Sequence, residues 1–162
     1  MKLLLFGGSG LLGRAVRRKL PGEWTAFCPA HGEYDLCEAD SATNALKAYR
    51  PDAVLNCAAF TDVEPQKAFL ANFEAVARLS SACRSFGVPF YHIGTDYVFD
   101  GGAKAPIPED AVPNPINEYG KSKLAGEEAA LKDGGCVLRV QWLYGHGKSA
   151  FVDRVLNSAA DS

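Results

Sequence analysis

The stretch Lys2–Gly13, KLLLFGGSGLLG, decides how the rest of the chain is read. Four apolar residues, Leu3–Phe6, stop at a pair of glycines, the pattern of a short buried strand. Leu11–Leu20 then carries apolar residues at helical spacing and stops at Pro21-Gly22. Between the two, Gly7, Gly10 and Gly13 follow the spacing G-x-x-G-x-x-G. Glycine at 7 and 10 allows a tight turn and lets a pyrophosphate reach the backbone amides with no Cβ in the way. Gly13 allows the helix to pack close to the strand, and the helix N-terminus favours an anion. A plain glycine-rich turn uses the same letters. A turn that joins an N-terminal buried strand to a helix is, however, the setting in which a dinucleotide binds.

Outward from that turn, strand-like and helix-like segments alternate. Trp24–Cys28 reads as a second strand, and Ser41 reads as the cap of a helix running to Arg50. Ala53–Ala58 reads as a buried strand and Gln66–Ser85 as a long helix closed by Gly87. Val88–Ile93 and Cys136–Trp142 are further strands, and the helix bearing Tyr119 lies between them and ends at Gly134-Gly135. Such alternation implies a doubly wound parallel sheet of Rossmann type, a three-layer α/β/α arrangement. Asp100–Pro115, rich in proline and glycine, is a loop after a strand, where such a sheet places its ligand. Two units are expected: a dinucleotide-binding domain over 1–148, and over 149–162 the start of a C-terminal substrate-binding region that is otherwise absent. Phe151–Ala160 reads as the opening of another helix.

The totals narrow the function classes. The chain has 162 residues, 48% hydrophobic and 22% charged, with a formal net charge of −2. That balance excludes the basic excess of a nucleic-acid binder. The apolar start is too short for a signal peptide and no later run approaches membrane-spanning length, so a cytoplasmic protein with no membrane partner is expected. Five scattered cysteines without a C-x-x-C pair read as reduced core thiols. His31, His92 and His146 share no metal-ligand spacing, so no metal is expected. Glu127-Glu128 reads as a solvated helix face, and nothing near Cys57 is arranged to activate a thiolate.

Tyr119 and Lys123 stand four apart on an expected helix, which puts them on one face with Cβ atoms about 5–6 Å apart. A tyrosine titrates near ~10, and an ammonium at ~5 Å favours its phenolate by roughly 3 kcal/mol, about two pKa units. Such a phenol can take part in acid–base work, and the same lysine can donate to the ribose hydroxyls of a dinucleotide. By itself the pair is an ordinary solvated one. Thr95, expected at the carboxyl end of a central strand, changes that: its hydroxyl can bond the substrate oxygen that Tyr119 protonates. The end of the second strand, Cys28–His31, offers neither an acid for a ribose 2′-hydroxyl nor an arginine for a 2′-phosphate, so NADH and NADPH both stay open. Asp35 and Leu36, a little further on, are candidates to flank the adenine.

GGSGLLGRAV, NCAAFTDVE, TDYVFDG, YGKSKLAGE and LRVQWLYG, in this order, resemble the extended short-chain dehydrogenases, and among them the dTDP-4-dehydrorhamnose reductase family. The resemblance covers nearly all of the chain. It implies reduction of the C4 keto group of dTDP-4-dehydro-L-rhamnose by NADPH or NADH, with Thr95, Tyr119 and Lys123 as the catalytic trio. It also implies that Gly10, Leu11 and Leu12 contact the pyrophosphate, that Asp35 and Leu36 sit near the adenine, and that Ala59, Phe60 and Thr61 line the cofactor. Thr95, Asp96, Tyr119 and Trp142 would meet a dTDP-sugar, although Trp142 reads equally well as a core residue at a strand end. A homodimer is among the arrangements to be considered.

Sugar-nucleotide dehydratases of this fold carry Thr-Asp-Glu, whereas here Asp96 is followed by Tyr97, which favours simple carbonyl reduction over a 4-keto-sugar epimerase or dehydratase. The other alternative is a non-catalytic NADP-binding regulator resembling the β subunit of methionine adenosyltransferase. Two departures stand out: the loop after Glu64 is shorter than the family pattern, and the C-terminal region that builds most of the sugar-nucleotide site is not in the sequence.

Overall fold

A computed structural model describes residues 1–62, 64–104, 106–145, 155–156 and 158–159. Strand β1 (Lys2–Phe6) leads through the glycine turn into α1 (Leu11–Lys19), followed by β2 (Thr25–Phe27), α2 (Ser41–Tyr49) and β3 (Ala53–Asn56). Next comes one long helical rod: α3 (Pro65–Phe69), a π-helical turn at Leu70–Glu74, and α4 (Ala75–Phe86). Strand β4 (Phe90–Thr95), helix α5 (Glu118–Lys132) and β5 (Cys136–Val140) complete the fold. The five strands are parallel in the order β2-β1-β3-β4-β5.

Successive side chains of β1 go to opposite faces, as the two-residue strand period requires. Leu4 and Phe6 pack with Ala45, Leu46, Val76, Leu79 and Cys83, so α2 and α4 cover one face, and Ala130 brings α5 onto it. Leu3 and Leu5 pack with Val16, Leu20 and Trp24 on the face that α1 covers. The three-layer arrangement is as expected, but the second face is thinner. Tyr91 of β4 and Leu138 of β5 lie 40% and 48% exposed there, beyond the reach of α1.

From β1 the chain first builds outward to β2, then crosses to β3 on the other side of β1. The strand order therefore reverses between β1 and β3, and a doubly wound sheet opens a crevice at the carboxyl ends of the strands at that point. Most expected elements match to within a few residues, and Gly87 closes α4 in the left-handed conformation at φ 66°. One cap differs. Asp40 is the residue before α2, and Ser41 lies inside the helix with its buried hydroxyl making no hydrogen bond. In the expected C-terminal helix, Val155, Leu156, Ser158 and Ala159 are helical, and the other positions of 151–160 lie outside the described residues. No helix among the described residues is long and apolar enough to cross a membrane.

Candidate active site

The glycine turn is tight because neighbouring backbone is close. Gly7 has φ +74°, and a Cβ there would lie 2.6 Å from the carbonyl carbon of Cys57 and from the amide of Ala58. A Cβ on Gly13 would run into the Gly7 carbonyl. Gly10 N donates to Gly7 O at 3.0 Å, and Gly10 precedes α1 with no side chain capping the helix. The amides of the first turn are thus left to face outward with no acidic residue beside them, the condition for an anion site.

Beside this turn lies a cavity of about 310 Å³ at the β1/β3 switch point. Gly7, Asp35, Leu36, Ala59 and Phe60, all expected near a cofactor, line it. Gly10, Leu11 and Leu12 form the start of α1 but do not line this cavity, and Thr61 is exposed just beyond Phe60. Asp35 Oδ1 accepts from Cys37 N at 2.9 Å and lies 3.7 Å from His31, which shapes the loop over the cavity. Uncapped helix amides after a tight glycine turn and a cavity at the switch point together fit a dinucleotide.

Asn72 was missed from the sequence, and it holds this wall in place. Its Oδ1 accepts from Phe60 N at 2.9 Å, and its Nδ2 donates to Phe60 O at 2.8 Å and to Ser122 Oγ at 3.1 Å. One buried amide therefore ties the segment after β3 to α5. It faces inward because the π-helical turn Leu70–Glu74 adds a residue to the rod.

Helix α5 begins where Asn117 Oδ1 accepts from Gly120 N at 2.7 Å, which sets Tyr119 in the first turn. The Tyr119 phenol is half-buried, and its ring meets the Tyr97 ring edge-on with centroids 5.6 Å apart. Thr95 ends β4 with 6% exposure, and its side chain stands near enough to the phenol to affect its titration. The Thr95 hydroxyl donates to Asp96 Oδ1 at 3.2 Å and accepts from Tyr97 N at 3.3 Å. Burial raises Tyr119 above the usual tyrosine value; the Thr95 side chain opposes this, while Asp96 and Tyr97 add to it.

Lys123 departs from expectation. Its Nζ donates to Ile93 O at 2.6 Å and lies 3.2 Å from His92 Nε2, so it docks on β4 rather than against the phenol. The depressed tyrosine expected from a lysine beside it is absent, because Lys123 is 2% exposed and committed to β4. Its own value is pushed down to about 8 by burial, with Glu127 and Cys57 opposing.

Glu127 is a second correction. It is not solvated: its side chain is 1% exposed and accepts from Arg139 Nε at 2.9 Å and from Thr95 N at 3.3 Å. Its neighbour Glu128 is exposed as expected.

A larger cavity of about 560 Å³ opens at the ends of β4 and β5, lined by Asp96, Tyr97, Asn117, Arg139 and Trp142. Trp142 lies beyond the end of β5, 57% exposed and at φ +45°, so the strand-core reading fails and it stands on the cavity wall. Such a φ is rare for a bulky side chain.

Among the described residues no cluster could hold a metal, and His146 lies outside them. The five cysteines are free, but Cys136 is exposed rather than part of the core. Burial raises the Cys57 thiol to about 11 and the Cys83 thiol to about 12, which leaves both unreactive.

The fold and crevice define a doubly wound, nucleotide-binding type of α/β domain. The family described as RmlD substrate binding domain matches residues 1–162, and the chain belongs to that family. It is 36% identical over 167 residues to the dTDP-4-dehydrorhamnose reductase of Streptomyces griseus, an alignment covering 98% of this chain and 55% of that protein. It is 35% identical over 159 residues to methionine adenosyltransferase 2 subunit beta of Xenopus tropicalis, covering 89% of this chain and 47% of that protein. The crystal structure of Bacillus anthracis dTDP-4-dehydrorhamnose reductase in complex with NADP superposes with a TM-score of 0.93 at 27% identity, covering 99% of this chain and 60% of that one. The chain thus spans about half the length of the curated relatives it matches.

Proposed function

We propose that this chain is the nucleotide-binding part of an NAD(P)H-dependent reductase of dTDP-4-keto sugars, with dTDP-4-dehydro-L-rhamnose as substrate and dTDP-L-rhamnose as product. The observation that carries the reading is the placing of the Tyr119 ring on Tyr97 and close to Thr95 at the end of β4, next to the cavity lined by Asp96, Tyr97, Asn117 and Trp142. Gly7, Gly10, Leu11 and Leu12 would hold the pyrophosphate, Asp35 and Leu36 the adenine end, and Ala59, Phe60 and Thr61 the side of the crevice. When bound, a reduced nicotinamide supplies the hydride that carbonyl reduction requires. The protein's residues do the rest. Thr95 donates to the ketone oxygen, and Tyr119 gives that oxygen its proton.

A tyrosine raised above its usual value suits this direction of reaction, because a general acid must begin protonated. Lys123 holds ribose hydroxyls and tunes Tyr119 once it leaves β4. Asp96 and Trp142 face the sugar nucleotide from the larger cavity. Tyr97 stands where a dehydratase would have a second carboxylate, which supports reduction over elimination.

The similarity to the methionine adenosyltransferase subunit supports a second reading, a non-catalytic NADP-binding regulator. One assay separates the two. The protein is mixed with dTDP-4-dehydro-L-rhamnose and NADPH or NADH, and loss of nicotinamide absorbance is followed. Dinucleotide binding without substrate-dependent oxidation would overturn the reductase reading in favour of the regulator.

A further inference from the structure

A row of four buried groups runs from β3 to α5 beneath the site, and its hydrogen bonds have only one consistent direction. Ala58 N donates to Asn56 Oδ1 at 3.0 Å, which establishes which end of that amide is oxygen. The other end, Nδ2, faces His92 Nδ1 at 3.2 Å. An amide nitrogen only donates, so His92 Nδ1 carries no proton. A doubly protonated ring is disfavoured, because burial pushes His92 well below its ordinary value. The single ring proton is therefore on Nε2, which faces Lys123 Nζ at 3.2 Å. An N–H aimed at Nζ finds a lone pair only when the lysine is an amine, since an ammonium has nothing with which to accept. Nζ completes the row by donating to Ile93 O at 2.6 Å.

We propose that His92 is a positioning residue: held as the Nε2–H tautomer by Asn56, it docks Lys123 on β4 whenever the lysine is a neutral amine. Protonating that amine would set two N–H groups against each other and release Lys123 from His92. The freed ammonium belongs to the same helix as Tyr119, one turn away, where ligand hydroxyl oxygens would receive it. His92 thereby separates a docked, uncharged lysine from a released, charged one. The charged or titratable groups facing Lys123 are His92 from β4, Cys57 from β3 and Glu127 from its own helix. Of these, Glu127 is already engaged by Arg139 and the Thr95 amide.

The catalytic meaning of this switch rests on the reading of Lys123 given above, but its test needs neither substrate nor dinucleotide. In the ¹⁵N-histidine-labelled protein, NMR should find His92 with Nε2 protonated and Nδ1 bare from about pH 6 to about pH 9. The ¹³Cε signal of Lys123 should titrate near 8 in the wild type. In His92→Gln, whose amide can turn its oxygen toward an ammonium, the midpoint should rise by about one pH unit. An Nδ1–H tautomer in the wild type, or an unchanged midpoint in a folded His92→Gln, would overturn the proposal. The tautomer measurement stands even where the variant fails to fold. Failure of the ketone-reduction assay alone would sink the reductase reading and leave these two readings intact.

Discussion

Glu127 Oε1 accepts the backbone amide of Thr95 at 3.3 Å, so the residue that meets Tyr119 is braced by a carboxylate two turns further along α5. The same carboxylate engages Arg139, whose guanidinium lies 5.1 Å from the centroid of the Phe99 ring. Removing one member of a largely buried ion pair leaves the other without compensation. Glu127→Ala should therefore lower unfolding free energy by about 3 kcal/mol, and Glu127→Gln, which keeps an acceptor for Thr95 N, by less. Urea titration of the two variants decides the matter. Equal losses would show that the brace on Thr95 adds nothing beyond the ion pair.

Tyr119→Phe keeps the ring that packs on Tyr97 and removes only the hydroxyl. Turnover in the reduction assay should fall by about 10²–10⁴-fold. Dinucleotide affinity, measured by fluorescence titration, should stay within about twofold, because the glycine turn and crevice are untouched. Retained turnover would remove Tyr119 from the chemistry.

At Gly7 the expected effect is on binding and stability together. A methyl group there meets the backbone at Cys57 and Ala58, and φ +74° disfavours any L side chain. Gly7→Ala should cost about 1–3 kcal/mol of stability and weaken dinucleotide binding at least tenfold. Calorimetric titration of a variant that still melts cooperatively measures both. Unchanged affinity would argue against the cavity as the dinucleotide site.

The pH dependence of folding carries the signature of His92. Its folded value, about 3, lies below the ordinary 6.5, so the unfolded chain takes up the proton first. Its contribution is complete above pH 6.5 and is lost as pH falls toward 3. One such proton changes stability by about 1.4 kcal/mol per pH unit within that window. Urea midpoints of wild type and His92→Gln should converge on acidification, and parallel curves would refute the assignment.

Lys123 behaves in the same sense at higher pH. Depression from 10.5 to about 8 means that the buried lysine weakens the fold at neutral pH and costs less as pH rises through this range. That penalty, about 3 kcal/mol for the charged form, exceeds the roughly 2 kcal/mol of the one charged hydrogen bond, to Ile93 O, that an ammonium keeps. Lys123→Met should therefore raise unfolding free energy at neutral pH by about 1 kcal/mol while turnover collapses. A less stable variant would show that its hydrogen bonds outweigh its desolvation.

The sheet was legible because its strands are runs such as Leu3–Phe6 and Ala53–Leu55, where period and composition agree. The glycine turn was legible for the same reason: Gly7 and Gly13 are the only residues short enough for the backbone contacts made there. The interior of α5 was not legible. Its inward face is Ser122, Lys123, Gly126, Glu127 and Ala130, a set that by composition reads as solvent-facing. These residues are buried because Gly126 brings α5 against the Asn72 carbonyl, and because Arg139 and His92 come from strands distant in sequence. Polar pairing across elements leaves no periodic trace, so the burial of Glu127 and Asn72 has no signature in the sequence. The positions of Tyr119 in the first turn of α5 and of Thr95 at the end of β4 were legible because short motifs mark those element ends.

The π-helical turn at Leu70–Glu74 also sets a phase. A residue added within a helix swings everything on one side of it by about 100° relative to the other. Excising Ala71 would restore ordinary winding, but it would also rotate Asn72 away from Phe60 and unlatch the crevice wall from α5. The register of the whole rod against the sheet is therefore written into one irregular turn, and the exposed loop before it has no hold on that register.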